Sequence, residues 1–316
     1  MDSEHTVGSG ISKVHSMAVS GFTKNSAESY NLGRPYYTDQ TIDEIIKRSQ
    51  LIGLESTANI SYDVLELGAG TGKFTQKLYP RLKQLNKEGN KPLKYLATDP
   101  SEGFLSTLQE TCPDVETAAA SANCLKVPDH SVRLVAAAQS FHWFATEEVL
   151  QEIHRILVPD GMLGKFMVSL SSKSLLFLLL LIAVILVKVF SNQDSNFIKI
   201  ADEGSLPFYT FNLLLENYPP NTPREASEEW KKVFESFTDF QQQFYTQPSG
   251  PVIQGTKSTV INYFLSVSVI ASLDDLEKEK VKGDFVKLLN KWFPDSTEET
   301  PVEFPFQTHL YGFVKQ

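Results

Sequence analysis

An α/β fold, a mostly parallel sheet covered by helices on both faces, is what this sequence predicts, on three observations. Short β-rich runs alternate with stretches of helical periodicity from residue 62 to residue 168, the order that builds a parallel sheet. One run, Val132–Ala138, is apolar except for Arg133, as a strand buried on both faces should be. A glycine loop, Gly68-Ala69-Gly70-Thr71-Gly72, sits between the first strand and the helix that follows. Composition permits such a core. Of 316 residues, 41% are hydrophobic and 21% charged, which excludes a wholly disordered chain.

The elements follow in order. Residues 1–25 are polar and aperiodic and read as a mobile tail; 26–316 read as a single domain. Ile42, Ile45, Ile46 and Leu51 predict a helix over Thr41–Gly53, with Asp43 and Glu44 in its first turn. Tyr62–Leu67 is the first strand. Phe74, Leu78, Leu82 and Leu85 carry a helix after the glycine loop. A second strand, Lys94–Thr98, ends at Asp99, and Phe104, Leu105 and Leu108 mark one face of the next helix. Val115–Ala120 is a weaker strand, and Val132–Ala138 the fourth. Glu147–Leu157 is a helix with Val149, Leu150, Ile153, Ile156 and Leu157 inward. Pro159-Asp160-Gly161 signals a turn, then Met162–Val168 forms the fifth strand. Beyond residue 195 the pattern loosens. A helix is expected around Trp230, Val233 and Phe234, and a strand over Phe240–Tyr245. A long helix over Asp274–Phe293 uses Leu276, Phe285, Leu288, Leu289 and Trp292, and a strand over Phe304–Val314 closes the chain.

Twenty-nine basic residues against 38 acidic ones give a net charge of −9, and no run of Lys and Arg is dense. A nucleic-acid partner is therefore not expected, and a small or uncharged one is favoured. Cys112 and Cys124 match no metal or redox spacing, so two free thiols, no metal site and a reducing compartment are expected. Met1–His5 carries neither a basic nor an apolar leader pattern, which predicts a cytoplasmic protein.

The glycine loop points to a ligand. Glycines allow a backbone to approach a ligand closely at positive φ, and the helix beyond offers unpaired N–H groups. A phosphate-binding G-x-x-x-x-G-K-[ST] loop fails at both ends: Leu67 stands where the first glycine is needed and Phe74 follows Lys73. The spacing is G-x-G-x-G rather than G-x-G-x-x-G, which speaks against a nicotinamide oxidoreductase. Asp99, at the end of the second strand, is placed to accept hydrogen bonds from a ribose diol.

Glu66 followed by G-x-G-x-G, with Asp99 at the end of the next strand, resembles the class I S-adenosylmethionine-dependent methyltransferases. Ala137–Phe144, reading AAQSFHWF, resembles an element of the methyltransferase type 11, or trans-aconitate methyltransferase-like, subgroup. Tyr30 with Arg34-Pro35-Tyr36-Tyr37 resembles that subgroup's Y-x-x-x-R-P-x-Y element, and Pro305–Thr308 its closing strand. The likeness spans about residues 20–168 and 225–316. It implies a Rossmann-like, seven-stranded sheet whose last strand is antiparallel, S-adenosylmethionine as cofactor, and a small-molecule acceptor. A carboxylic acid acceptor follows by analogy only.

The resemblance also implies roles. Glu66 orients the loop or meets the methionine portion of the cofactor, which Gly68, Ala69, Gly70 and Gly72 let approach. Asp99 and Pro100 hold the ribose, and Ser121, Ala122 and Asn123 frame the adenine. Gln139 completes the cofactor set and lines the methyl channel with Phe141. Tyr30, Arg34, Phe141, His142 and Trp143 meet the acceptor, with Arg34 pairing a carboxylate. His142 is the candidate base, and packing at a strand end is its alternative. A relative that binds cofactor without transferring a methyl group is the rival reading.

Leu175–Val187 is an unbroken apolar run between Lys173 and Lys188. It is shorter than the roughly 20 residues of a spanning helix. A single crossing would also part the sheet's strands across a bilayer. An insertion at about 170–190 that the working enzyme lacks is preferred over a buried helix, and membrane contact through 174–190 is the least favoured reading. The oligomeric state is not legible.

Overall fold

The computed structural model describes residues 34–49, 51, 60–86, 92–170, 228–271, 273–292, 297, 299 and 302–316. The expected tail, Tyr30 and the apolar run lie outside them. No helix among the described residues is long and apolar enough to cross a membrane.

Helix α1 (Asp39–Arg48) opens on Thr38, whose hydroxyl accepts the Thr41 amide at 3.1 Å, an N-cap bond that satisfies one orphan donor. It starts and ends earlier than its periodicity predicts, and buries the expected Ile42, Ile45 and Ile46. Strand β1 (Tyr62–Leu67) leads through the glycine loop into α2 (Thr75–Leu85). Strand β2 (Tyr95–Asp99), helix α3 (Glu102–Thr111), strand β3 (Glu116–Ala119), strand β4 (Val132–Ala138) and helix α4 (Glu147–Ile156) follow.

Strand β5 (Leu157–Leu170) runs through the expected turn at Pro159-Asp160-Gly161. The turn residues form an irregularity inside the strand instead. Asp160 has φ 60°, and the β4 pairing jumps from Val132↔Leu157 to Leu134↔Met162. A bulge absorbs the extra residues without ending the ladder. The helix expected around Trp230 reduces to a 3₁₀ turn, Glu229–Lys231, and a single turn, α5 (Val233–Ser236). Then come β6 (Phe240–Thr246), β7 (Ser249–Gly255), α6 (Lys257–Leu265), α7 (Ser268–Ala271), α8 (Asp275–Trp292) and β8 (Val302–Lys315).

The strand order is β3-β2-β1-β4-β5-β8-β6, with β7 also paired to β8. The first five strands pair in parallel, and β8 is antiparallel to β5, β6 and β7. The fold is the expected Rossmann-like one with an antiparallel closing strand, and among the described residues β7 makes the sheet eight strands rather than seven. Proline and glycine in β7 hide it from a periodicity reading. They are tolerated because β7 pairs on one side only.

Strand alternation builds two cores. One face packs α1, α2 and α3 on Val64, Ala97, Leu134, Ala136 and Phe166. The other packs α4, Trp230 and Phe237 on Leu65, Leu67, Val135, Ala137 and Leu163. Helices α6 and α8 make a third cluster through Val260, Phe264, Val281, Phe285 and Leu289, against which Trp143 packs. Leu276, expected inward, is 81% exposed; the buried stripe of α8 runs through Val281, Phe285 and Leu289 at i, i+4 spacing.

Lys315 ties the last strand down. Its buried Nζ donates to the carbonyls of His154 (2.7 Å) and Leu157 (2.8 Å), and lies 2.9 Å from His130 Nδ1. Lys315→Met is expected to cost about 1–3 kcal/mol, because carbonyls bonded to a charged donor lose it. Urea unfolding checks this through a lowered midpoint at unchanged slope.

Candidate active site

A cavity of about 240 Å³ opens at the carboxyl ends of β1, β2 and β4, where open parallel sheets bind ligands. The glycine loop is its floor. Gly68, Gly70 and Gly72 have φ of 65°, 57° and 84°, the left-handed region. A Cβ at Gly68 would lie 2.6 Å from the Ser140 Cβ, and one at Gly72 2.7 Å from the Leu108 Cγ. Glycine at these two positions is thus demanded by sterics as well as by φ.

Both neighbouring strands hold the loop. From β2, Asp99 Oδ2 accepts the Gly70 amide at 2.9 Å and the Thr98 carbonyl accepts the Ala69 amide at 3.0 Å. From beyond β4, Ser140 Oγ donates to the Leu67 carbonyl at 2.6 Å. The second Asp99 oxygen accepts the Ser101 amide at 2.8 Å. Each carboxylate oxygen keeps acceptor capacity after one bond. Burial pushes Asp99 up to about 6, against the pull of the Ser101 and Gly70 amides.

Glu66 lies beneath the loop, opposite Ala97 on β2 and Ala136 on β4. Those small neighbours leave room for its carboxylate. Glu66 Oε2 accepts from Tyr95 (2.6 Å) and Thr75 (2.7 Å). Burial still dominates and pushes its pKa up to about 7.

The cavity brings together Arg34, Glu66, Gly68, Ala69, Gly70, Asp99, Pro100, Ser121, Ala122, Asn123, Gln139 and Trp143. Gly72 supports the loop from outside the cavity wall. Gln139 sits at φ 60° and donates its side-chain amide to the Val168 carbonyl at 2.8 Å. Asn123 is tied to Ser121 (2.7 Å) and donates to Glu148 Oε1 (3.0 Å). Glu148, on α4, brings a carboxylate to the wall where Asn123 carries an amide.

Two of the expected site residues lie outside the cavity lining. Phe141 is 1% exposed, and its ring packs edge-on against Trp230 and Phe144 in the core. His142 stands beside Trp143, ring centres 5.5 Å apart, outside the cavity lining. The 3₁₀ turn Phe141–Trp143 rotates successive side chains by a third of a turn, so only Trp143 of the three reaches the cleft. Lys73, Thr146 and Glu148 line the cavity unforeseen. Lys73 follows the glycine loop directly and could have been read as part of it. No three His, Cys, Asp or Glu side chains gather as a metal site among the described residues.

Residues 64–161 match the family described as Methyltransferase domain. An uncharacterised methyltransferase-like protein of Schizosaccharomyces pombe is 37% identical over 298 residues, covering 93% of this chain and 95% of the relative. The chain belongs to the methyltransferase family. A second S. pombe methyltransferase is 34% identical over 141 residues, 45% of this chain and 50% of its own. A solved structure from Anaeromyxobacter dehalogenans described as a type II methyltransferase superimposes with a TM-score of 0.54 at 16% identity, over 88% of this chain and 97% of that one. That likeness speaks for the fold alone.

The methyltransferase carries two cations at its cleft. Arg34 Nη2 donates to the Ser266 carbonyl at 3.1 Å, just past α6. Lys73 Nζ donates to the Arg34 carbonyl at 2.9 Å. Burial, then the charge of Arg34, lowers the Lys73 pKa to about 8.

In the folded methyltransferase Glu66 keeps its proton to about pH 7, against an ordinary value of 4.5. The folded state therefore holds a proton that the unfolded chain has lost, and stability falls as pH rises through that window. Glu66→Gln keeps an acceptor for Tyr95 and Thr75 and cannot ionise. It is expected to be more stable than wild type at about pH 8, and to lose that advantage near pH 4.5. Denaturant unfolding at both pH values checks it.

Proposed function

We propose that this methyltransferase is S-adenosylmethionine-dependent and acts on a small-molecule acceptor, a carboxylic acid being the favoured class. The single observation that carries the cofactor reading is the pairing of a left-handed glycine loop with Asp99 in one cavity. A Cβ placed at Gly70 would meet nothing nearer than Phe104 at 3.7 Å. The backbone there is open to a ligand rather than covered by protein.

The residues fit the group. Gly68, Ala69 and Gly70 line the site for its methionine portion. Asp99 retains acceptor capacity for a ribose diol, and Ser121, Ala122, Asn123 and Glu148 would face the adenine. When bound, S-adenosylmethionine supplies an electrophilic methyl group on a sulfonium. The protein's own task is to align an acceptor and exclude water. Trp143, Phe144 and Phe104 wall the cavity with apolar surface. An ionised carboxylate acceptor already carries its lone pair and needs no base, which suits a cavity that His142 does not reach. Arg34 and Lys73 supply positive charge for such an acceptor.

Calorimetric titration of the full chain with S-adenosylhomocysteine tests the cofactor. Binding that Asp99→Ala weakens by at least about tenfold (~1.4 kcal/mol) is expected. A folded wild type that takes up no ligand would refute the cofactor reading. Methyl transfer to a panel of small carboxylic acids and phenols tests the acceptor. Arg34→Gln is expected to raise KM for acids by roughly tenfold with a smaller change in kcat, as loss of uniform binding does. Cofactor binding with no transfer to any acceptor would favour a non-catalytic binding protein.

A further inference from the structure

Lys73 has no place in the cofactor set that the glycine loop implies, yet its side chain is buried and held by a carbonyl and an aromatic ring. It is 8% exposed. Its main chain directly follows the left-handed Gly72, and its Nζ reaches back to a segment 39 residues earlier. There it donates to the Arg34 carbonyl at 2.9 Å and lies 3.8 Å from the Tyr36 ring centre. Burying a lysine next to an arginine is costly unless specific partners offset it. A carbonyl and an aromatic face are such partners.

The segment it reaches, Arg34–Tyr37, is fastened at further points, among them Arg34 over the Tyr263 ring at 5.9 Å. Arg34 Nη2 bonds the Ser266 carbonyl, Tyr37 OH donates to the Phe166 carbonyl at 3.4 Å, and the Tyr37 ring packs edge-on against Phe74 at 5.0 Å. The segment thus crosses from β5 to the end of α6, and Arg34, Pro35 and Tyr37 all line the cavity. The attachment of Lys73 joins it to the residue that directly follows the glycine loop.

We propose that Lys73 is a positioning residue of the transfer reaction: it fastens the strap Arg34–Tyr37 to the cofactor loop, and so fixes where the Arg34 guanidinium stands in the cleft. The proposal rests on the reading that the cleft takes S-adenosylmethionine. Its specificity lies in the ammonium, since an apolar side chain would fill the same space without holding the strap. Loop and strap then move as one body, so cofactor retention and acceptor placement are coupled through this side chain. The other charged groups that line this cavity are Arg34, Glu66, Asp99 and Glu148.

The test compares wild type, Lys73→Met and Lys73→Arg in the full chain. Chymotryptic cleavage after the exposed Tyr36, followed by mass spectrometry, reads the strap. S-adenosylhomocysteine titration reads the cofactor site. Lys73→Met is expected to speed cleavage and weaken binding, each by roughly tenfold, the scale of one charged hydrogen bond plus a cation–π contact. Lys73→Arg, which keeps both contacts, is expected to restore most of each. Wild-type cleavage and wild-type affinity in Lys73→Met would overturn the proposal. So would lost affinity at unchanged cleavage, since Lys73 would then meet the cofactor directly, and so would faster cleavage at unchanged affinity. Should Lys73→Met fail to fold, Lys73→Gln, which removes the charge and shortens the reach while leaving the Tyr36 cleavage site intact, is expected to show the same pair of effects. A wild type that takes up no ligand would refute the cofactor reading separately, and the cleavage rates would still decide whether Lys73 holds the strap.

Discussion

A loop with three left-handed residues in five holds its shape only if something outside it prevents relaxation. Here both flanking strands do so. Asp99 and Thr98 grip it from β2, and Ser140 grips it from beyond β4. The Thr98 hydroxyl adds a bond to the Glu66 carbonyl at 2.9 Å, joining β1 to β2 just below. The cavity exists because β1 is central, with β2 and β4 as its neighbours. A loop leaving an edge strand would have had one wall and half of these bonds.

The same closeness explains the electrostatics. Burial raises the cost of charging both Glu66 and Asp99, and the Asp99 charge adds to it at Glu66. Hydrogen bonds from Tyr95, Thr75, Gly70 and Ser101 recover part of that cost and leave both carboxyls well above their ordinary range. Opposing them, Arg34 and Lys73 reach the cavity from the strap and from the start of α2's approach. A cleft that carries acids on one set of elements and cations on another suits a ligand with charges of both signs, more than it suits a uniformly anionic one.

Much of this could be read along the chain. Periodicity placed α1 to α4 and the five parallel strands, because each buries a face whose spacing is set by 3.6 or 2 residues per repeat. The G-x-G-x-G loop and Asp99 were legible as a pair because strand ends and loops between them are local features. The failures have physical reasons as well. Phe285 and Leu289 face inward on α8 as expected, but Leu276, read onto the same stripe, points outward, and periodicity does not say which neighbour a helix will find. Phe141 and His142 lay in the right loop and were turned from the cleft by one 3₁₀ turn. Lys165 gave no signal at all: it is 1% exposed on β5, with its ammonium 3.7 Å from the Trp230 ring centre, a partner 65 residues away in sequence.

The sequence by itself determined the fold class, the glycine loop and the strand end that faces it, since these depend on residues adjacent in the chain or on repeats along one element. Tertiary structure alone decided which side chains share the cavity. Glu148 stands beside Asn123, Lys73 beneath Arg34 and Tyr36, and Arg34 against the end of α6. Those contacts join segments that are from 25 to 232 residues apart. They arise from how helices settle on a twisted sheet, and no local propensity encodes that packing.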